Sequence, residues 1–159
     1  YDLGHASGVR QRTLFSVPPH VVLPTDHRLA GKRSVSLQQL EGEPMVLLDL
    51  PHSRDYFARL FEAAGVVPDV RYRTHSAETA RALVARGMGY TVLNLQAAHH
   101  VSLEGDAYAV VPLTSPLPRE EAELRVVLAS WEGNRLTRRA QAVAEVVTAL
   151  LSSSPQPKR

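Results

Sequence analysis

Cysteine is absent from all 159 residues. That removes disulfide stapling, thiolate nucleophiles and thiolate metal sites together, and it fits a reducing cytosol. No apolar run approaches the roughly 18 residues that a membrane helix needs, and no basic-then-apolar leader opens the sequence. A basic cluster is also lacking. The formal net charge is +2, and only Arg135, Arg138 and Arg139 stand close together, whereas a nucleic-acid surface gathers its cations on one face or strand. These residues are not expected to touch DNA themselves. The usual catalytic signatures are missing too. There is no H-E-x-x-H, H-x-H, G-x-S-x-G, P-loop or G-x-G-x-x-G. His99 and His100 are adjacent, so on a helix they would point about 100° apart, and no carboxylate stands at ligand spacing beside them. They read as surface histidines. The expectation is no metal, no cofactor and no enzymatic activity, although a site assembled from distant residues escapes a motif search.

What is present suits one α/β domain. Apolar side chains make up 44% of the sequence and charged ones 21%, which is enough for a substantial core. PHVVLP (19–24) is a proline-bounded strand. In VSLQQLEGEP (35–44), Ser36 and Gln39 are spaced as a capping box, Val35 and Leu40 as a hydrophobic staple, and Gly42 ends the short helix. MVLLDL (45–50) is a continuous apolar run, the mark of a strand covered on both faces. Ser53 is placed to cap a helix over 54–64 whose Phe57, Leu60, Phe61 and Ala64 share one face. Tyr56 falls off that stripe and is expected at the surface or in a subunit contact. DVRYRT (69–74) alternates as a half-exposed strand. Ser76 caps the next helix, with Ala80, Leu83 and Val84 inward, Arg81 and Arg86 outward, and Gly87 as its left-handed stop. YTVLN (90–94) is the following buried strand.

Strand, helix, strand, helix, strand at this spacing implies parallel crossovers. Beyond them, AYAVVPLT (107–114) and ELRVVLASW (123–131) read as strands separated by the turn-rich SPLPREE. A last helix from about Thr137 is expected to bury Val143, Val146, Val147 and Leu150. SSSPQPKR is a polar tail, expected to be disordered.

With catalysis unsupported, the informative features are two helix N-termini that follow strand ends, LPHS (50–53) and THS (74–76). In an open α/β sheet, ligands settle outside the carboxyl ends of the strands. Free N–H groups and the helix dipole there favour an anion such as a carboxylate. Ser53 and Ser76 either cap their own helices or offer hydroxyls to a ligand, and the two roles are compatible. His52 and His75 flank them and would strengthen anion binding when protonated.

The order of segments resembles a specific family. VVLPTDHRLAGKRSVSLQQLEGEPMVLLDL is similar to the entry into the second subdomain of LysR-type transcriptional regulators: an apolar strand, then "P-x-x-H-x-L-A" (Pro24, His27, Leu29, Ala30), then "S-L-x-x-L" (Ser36, Leu37, Leu40) and another apolar strand. ALVARGMGYTVLN resembles the family's "LVAAGLGIALLP", with Gly87 and Gly89 in place and Asn94 where many members have proline. YDLG at the start resembles the strand end that closes the first subdomain. The match runs in one register from Tyr1 to about Leu151.

The resemblance implies a two-subdomain effector module of the periplasmic-binding-protein type 2-like α/β fold, with mixed sheets. Residues 19–125 would form the second subdomain, 1–18 and 126–151 the returning part of the first, and 152–159 a disordered tail. The winged helix-turn-helix and the front of the first subdomain are not in this sequence, which starts at Tyr1 and is expected to be an N-terminally truncated piece. The last helix would then lack packing partners. Carried over by position, the effector contacts fall on Pro51, His52 and Ser53, on His75 and Ser76, and on Thr91, the last by resemblance alone; Tyr1 lies near the crossing strands. The implied function is effector sensing in a cytoplasmic, DNA-binding homodimer or homotetramer. A solute-binding protein of the same fold is the alternative. A small α/β enzyme using Asp49, His52 and His75 is the reading from another class.

Overall fold

A parallel pair of strands carries the architecture. β3 (Pro44–Leu48) and β4 (Asp69–Thr74) run side by side from Pro44 opposite Asp69 to Leu48 opposite Thr74, with one irregularity between Met45 and Val46. Parallel neighbours need a crossover, and α1 (Pro51–Ala64) supplies it. The computed structural model describes residues 7–133 and 136–153, without the side chains of His52 and of 151–153. Tyr1, the YDLG segment, Arg135 and residues 154–159 lie outside the described residues.

α1 forms where its apolar residues recur at helical spacing. Phe57, Leu60, Phe61 and Ala64 are all buried, each large side chain contributing roughly 1.5–3 kcal/mol by leaving water. Gly65, at φ 67°, ends the helix in the left-handed region. The helix begins three residues earlier than expected. Its N-cap is Leu50 and Pro51 occupies the first turn, so Ser53 sits inside that turn and is not the cap. Proline is favoured there because its φ is already helical and its missing N–H would have had no partner. Tyr56 also departs from expectation. It is buried at 3% exposure, its ring edge-on to Phe57 at 5.1 Å, because a polar tip can be satisfied inside when partners are in reach.

α2 (Ala77–Ala85) follows β4, capped by the Ser76 hydroxyl, which accepts the Thr79 N–H at 3.3 Å. Ala80 and Val84 are fully buried and Leu83 partly so. Arg81, expected on the surface, is buried at 6% exposure. It pairs with Glu78 and donates to the Leu95 carbonyl at 2.6 Å. Those partners let a guanidinium stay inside, where an unpaired charge would not.

After α2 the chain returns through Tyr90, which bridges to Met45 in parallel. Val46 N–H donates to Tyr90 O at 2.8 Å and Tyr90 N–H to Pro44 O at 3.0 Å. β5 (Thr91–Leu93) then pairs antiparallel with β2 (His20–Pro24), whose other edge pairs with β6 (Tyr108–Pro112). Val21, Val22 and Leu23 in the central strand are wholly buried. A 3-10 turn over Leu37–Leu40 stands where the short helix was expected, with Gln39 Oε1 accepting the Ser36 N–H at 2.9 Å and Val35 and Leu40 both buried.

The chain divides into two compact units, Pro18–Glu123 and the pair of segments Tyr1–Val17 with Leu124–Arg159. The second is built on an antiparallel ribbon of β1 (Val9–Val17) and β7 (Leu124–Trp131), joined by α4 (Arg138–Ser153). A one-turn helix, α3 (Arg119–Ala122), fills the segment read as turn. α4 runs to Ser153, one turn's edge into the expected tail. Its apolar stripe is not buried as the periodicity suggested, but lacks cover as the resemblance implied: Val143, Val146 and Leu150 are 62%, 57% and 63% exposed, and Val147 is only partly buried. A two-stranded ribbon offers too little apolar surface to cover such a helix.

Gly89 marks the tightest approach. Its φ is +126°, and a Cβ there would stand 2.0 Å from Pro44 O. That carbonyl is the acceptor of the Tyr90 N–H, so it has no room to move. Gly89→Ala is expected to destabilise the chain by about 3 kcal/mol or more, the sum of backbone strain and overpacking, read as a lowered urea midpoint with unchanged slope. A midpoint within error of the parent would mean that the β3 approach is looser than described.

Candidate functional site

Both candidate helix starts leave the same end of the β3–β4 pair at the same offset. Leu50 and Ser76, the two N-caps, each follow the paired residues Leu48 and Thr74 by two positions. The Asp49 N–H donates to Thr74 O at 2.8 Å, locking the two strand ends together. Pro51, Ser53, His75 and Ser76 are thereby gathered at one end of the strands. Pro51, His75 and Ser76 are exposed and Ser53 is partly buried. The backbone of His52 lies in the first turn of α1; its side chain is outside the described residues.

The Ser76 hydroxyl accepts from Thr79, so its proton remains available to donate to a ligand. Thr74 Oγ1 accepts the Ser76 N–H at 3.1 Å, shaping the turn into α2. Ser76 also edges a shallow groove of about 290 Å³ on the outer face of α2, shared with Leu83, Leu103, Glu78 and Glu104. The wall holds two carboxylates against the one guanidinium of Arg86, itself paired with Asp106 at 3.0 Å, which makes that groove a poor place for an anion. The strand-end side of Ser76 is different. There Asp49 receives Arg54 at 2.7 Å and Arg73 at 3.4 Å. The hydrogen bond from Arg54 holds its carboxyl below the usual range, the Arg73 contact adds in the same direction, and desolvation opposes both. Two guanidiniums over one carboxylate leave a positive balance beside two helix N-termini.

Thr91 is not brought to this end. Tyr90 is level with Met45, so counting along the strands sets Thr91 beside Val46 and Asn94 beside Asp49. Thr91 is wholly buried, and its hydroxyl has no hydrogen-bond partner in the structure. Asn94 reaches the strand end instead; an asparagine in place of proline carries no signal of its own in the sequence. Its Nδ2 donates to the Tyr56 hydroxyl at 2.9 Å, and that hydroxyl donates to Ala122 O at 2.6 Å.

A second buried polar cluster was equally illegible. His20, in β2, is 2% exposed and both ring nitrogens lack partners. Burial first, then the Arg81 charge, then His100, lower its pKa from 6.5 to about 4. His99 and His100 are exposed, and among the described residues no group of three His, Cys, Asp or Glu could hold a metal ion. No helix among them is long and apolar enough to cross a membrane.

The low His20 value fixes an acid response. The unfolded chain takes up this proton near pH 6.5 and the folded chain only near pH 4, so stability present above pH 6.5 drains away as pH falls between the two. The full shift corresponds to on the order of 3 kcal/mol. Chemical denaturation at pH 7, 5.5 and 4 should show this slope, and His20→Leu should flatten it. An unchanged slope in that variant would assign the acid response to other groups.

Comparison with known proteins matches this arrangement to a family. The model described as LysR substrate binding domain matches residues 1–152. The hydrogen peroxide-inducible genes activator of Escherichia coli O6:H1 is 30% identical over 137 residues, 86% of this chain and 43% of that protein. The C-terminal domain of a probable LysR family transcriptional regulator from Rhodococcus sp. RHA1 is 39% identical, with a TM-score of 0.84 over 93% of this chain and 71% of that one. The regulatory domain of CcmR from Synechocystis PCC6803, in complex with 2-PG, shares the fold at 20% identity, with a TM-score of 0.77 over 98% of this chain and 73% of that one. The chain spans less than half the length of the curated relatives it matches. Its fold is the periplasmic-binding-protein type 2-like α/β fold, and the chain belongs to the LysR substrate-binding domain family.

Proposed function

We propose that this chain is the effector-sensing part of a DNA-binding transcriptional regulator, and that its effector is a small organic anion held where α1 and α2 begin. The observation that carries the reading is the equal offset of two helix N-termini from one locked pair of parallel strand ends, with Arg54 and Arg73 beside them. The positive dipole ends of both helices stand there beside the side chains of Ser53, His75 and Ser76, with Pro51 and His52 in the same turn. Thr91, from its buried place, acts through the packing behind the site. The CcmR domain holding 2-PG supports a small-molecule role for the fold.

The remaining assignments follow the same reading. Residues 19–125 serve as the second regulatory subdomain, and 1–18 with 126–151 as the returning part of the first. DNA is contacted through a winged helix-turn-helix carried elsewhere in the polypeptide, and the regulator works in the cytoplasm as a homodimer or homotetramer. Catalysis is not part of the role. Asp49, at the end of β3, is held ionised by Arg54 and Arg73, the wrong direction for a general acid near neutral pH.

Ser76→Ala tests the site in two separable ways. Losing the cap should cost about 1 kcal/mol of stability. Losing the hydroxyl donor should weaken a carboxylate or phosphate ester, found by thermal-shift screening of such anions, about tenfold. Calorimetric titration of parent and variant checks it. Ligand affinity that ignores substitutions at Ser53 and at Ser76 would move the effector elsewhere.

A further inference from the structure

The chain passes from one compact unit to the other between Glu123 and Leu124. The residue just before this passage, Ala122, closes the one-turn helix α3, and its carbonyl is a helix-end acceptor with no intrahelical donor. Tyr56 supplies one from inside α1, its hydroxyl donating to Ala122 O at 2.6 Å. Asn94, at the end of β5, donates to the same hydroxyl at 2.9 Å. Tyr56 and Asn94 are both buried, so these bonds are made away from water and their lengths are set by packing as well as by attraction. Tyr56 stands five residues into α1 from Pro51, about 7.5 Å along a rigid helix. A displacement of the first turn therefore reaches the hydroxyl almost undiminished, and from there the backbone at Ala122.

We infer that the Tyr56 hydroxyl is a coupling point: it ties the first turn of α1 to the segment by which the chain leaves this unit. Asn94 orients the hydroxyl and keeps its proton directed at Ala122. The regulatory meaning rests on the preceding assignment of the α1 first turn to effector binding, but the coupling itself needs no ligand to be measured, so the two stand or fall separately.

The test is a double-mutant cycle read by amide hydrogen exchange on the 159-residue chain. Pro51→Gly loosens the first turn of α1, because proline fixes the helical φ there and glycine does not. The readout is exchange at Ala122 and Glu123, whose N–H groups are bonded to Pro118 O and Arg119 O at 2.9 Å. The Val21 and Val22 amides of the central strand report global stability. With Tyr56 intact, Pro51→Gly should speed exchange at Ala122 and Glu123 several-fold beyond any change at Val21 and Val22. With Tyr56→Phe as background it should add nothing further there. Equal acceleration in both backgrounds, or none in either, overturns the coupling. If Tyr56→Phe itself strips protection from Val21 and Val22, Asn94→Ala becomes the background: the Pro51→Gly effect at Ala122 should shrink, and an unchanged effect again overturns the proposal.

Discussion

The parallel pairing of β3 with β4 is the constraint on which the rest depends. β3 brings the apolar run, Met45, Val46 and Leu48 being buried, and β4 pairs along it as a half-exposed edge, Asp49 N–H closing onto Thr74 O at the far end. Parallel neighbours cannot be joined by a tight turn, so α1 crosses from β3 to β4 and α2 crosses back to Tyr90, which bridges to Met45 in parallel. Because the strands end level, the helices begin level. The candidate effector surface is thus a by-product of register: one residue of slip would turn every strand side chain to the other face and separate the two N-termini. Gly89 enforces the same register from the next strand, since only a residue without Cβ lets Tyr90 approach Pro44 as closely as it does.

Buried polarity is the second organising feature. Arg81, Tyr56 and Asn94 are all inside, and each has partners given by a backbone carbonyl or a neighbouring side chain. Such groups stabilise less by their net bond energy than by the penalty of losing it, because an abandoned donor or charge in the interior is costly. They select one arrangement of α1, α2 and the β5 end over near alternatives. His20 differs, as the Thr91 hydroxyl does: it is buried with two unpartnered nitrogens. Its neutral form is tolerated and its charged form is not.

The two units differ in how well they are covered. In the unit Pro18–Glu123 the central strand is sealed on both faces, whereas α4 shows solvent an apolar stripe that its ribbon cannot hide. The expectation of a buried last helix came from periodicity alone, and periodicity states which face is apolar without stating what lies against it.

Local chemistry was therefore legible where a single turn or strand decides the outcome. The proline-bounded β2, the Ser76 cap, the left-handed stops at Gly65 and Gly87, the apolar face of α1 and the strand-helix alternation all follow from short-range propensities and periods, and they sufficed to bring both helix N-termini into view. Where a choice depended on a distant partner, the same residues misled. Ser53 is a good capping residue, yet Pro51 just upstream claimed the first turn. Tyr56 and Arg81 carry polar groups that place them outside by default, and only Ala122, Asn94 and Leu95, 66, 38 and 14 residues away in the chain, make the interior acceptable. The depth of Thr91 behind the strand end was decided by how Tyr90 registers on Met45. The amino-acid order determined which segments become helix or strand and which face is apolar; the tertiary structure alone decided which polar groups find partners inside, because those partners are supplied by chain far away in sequence.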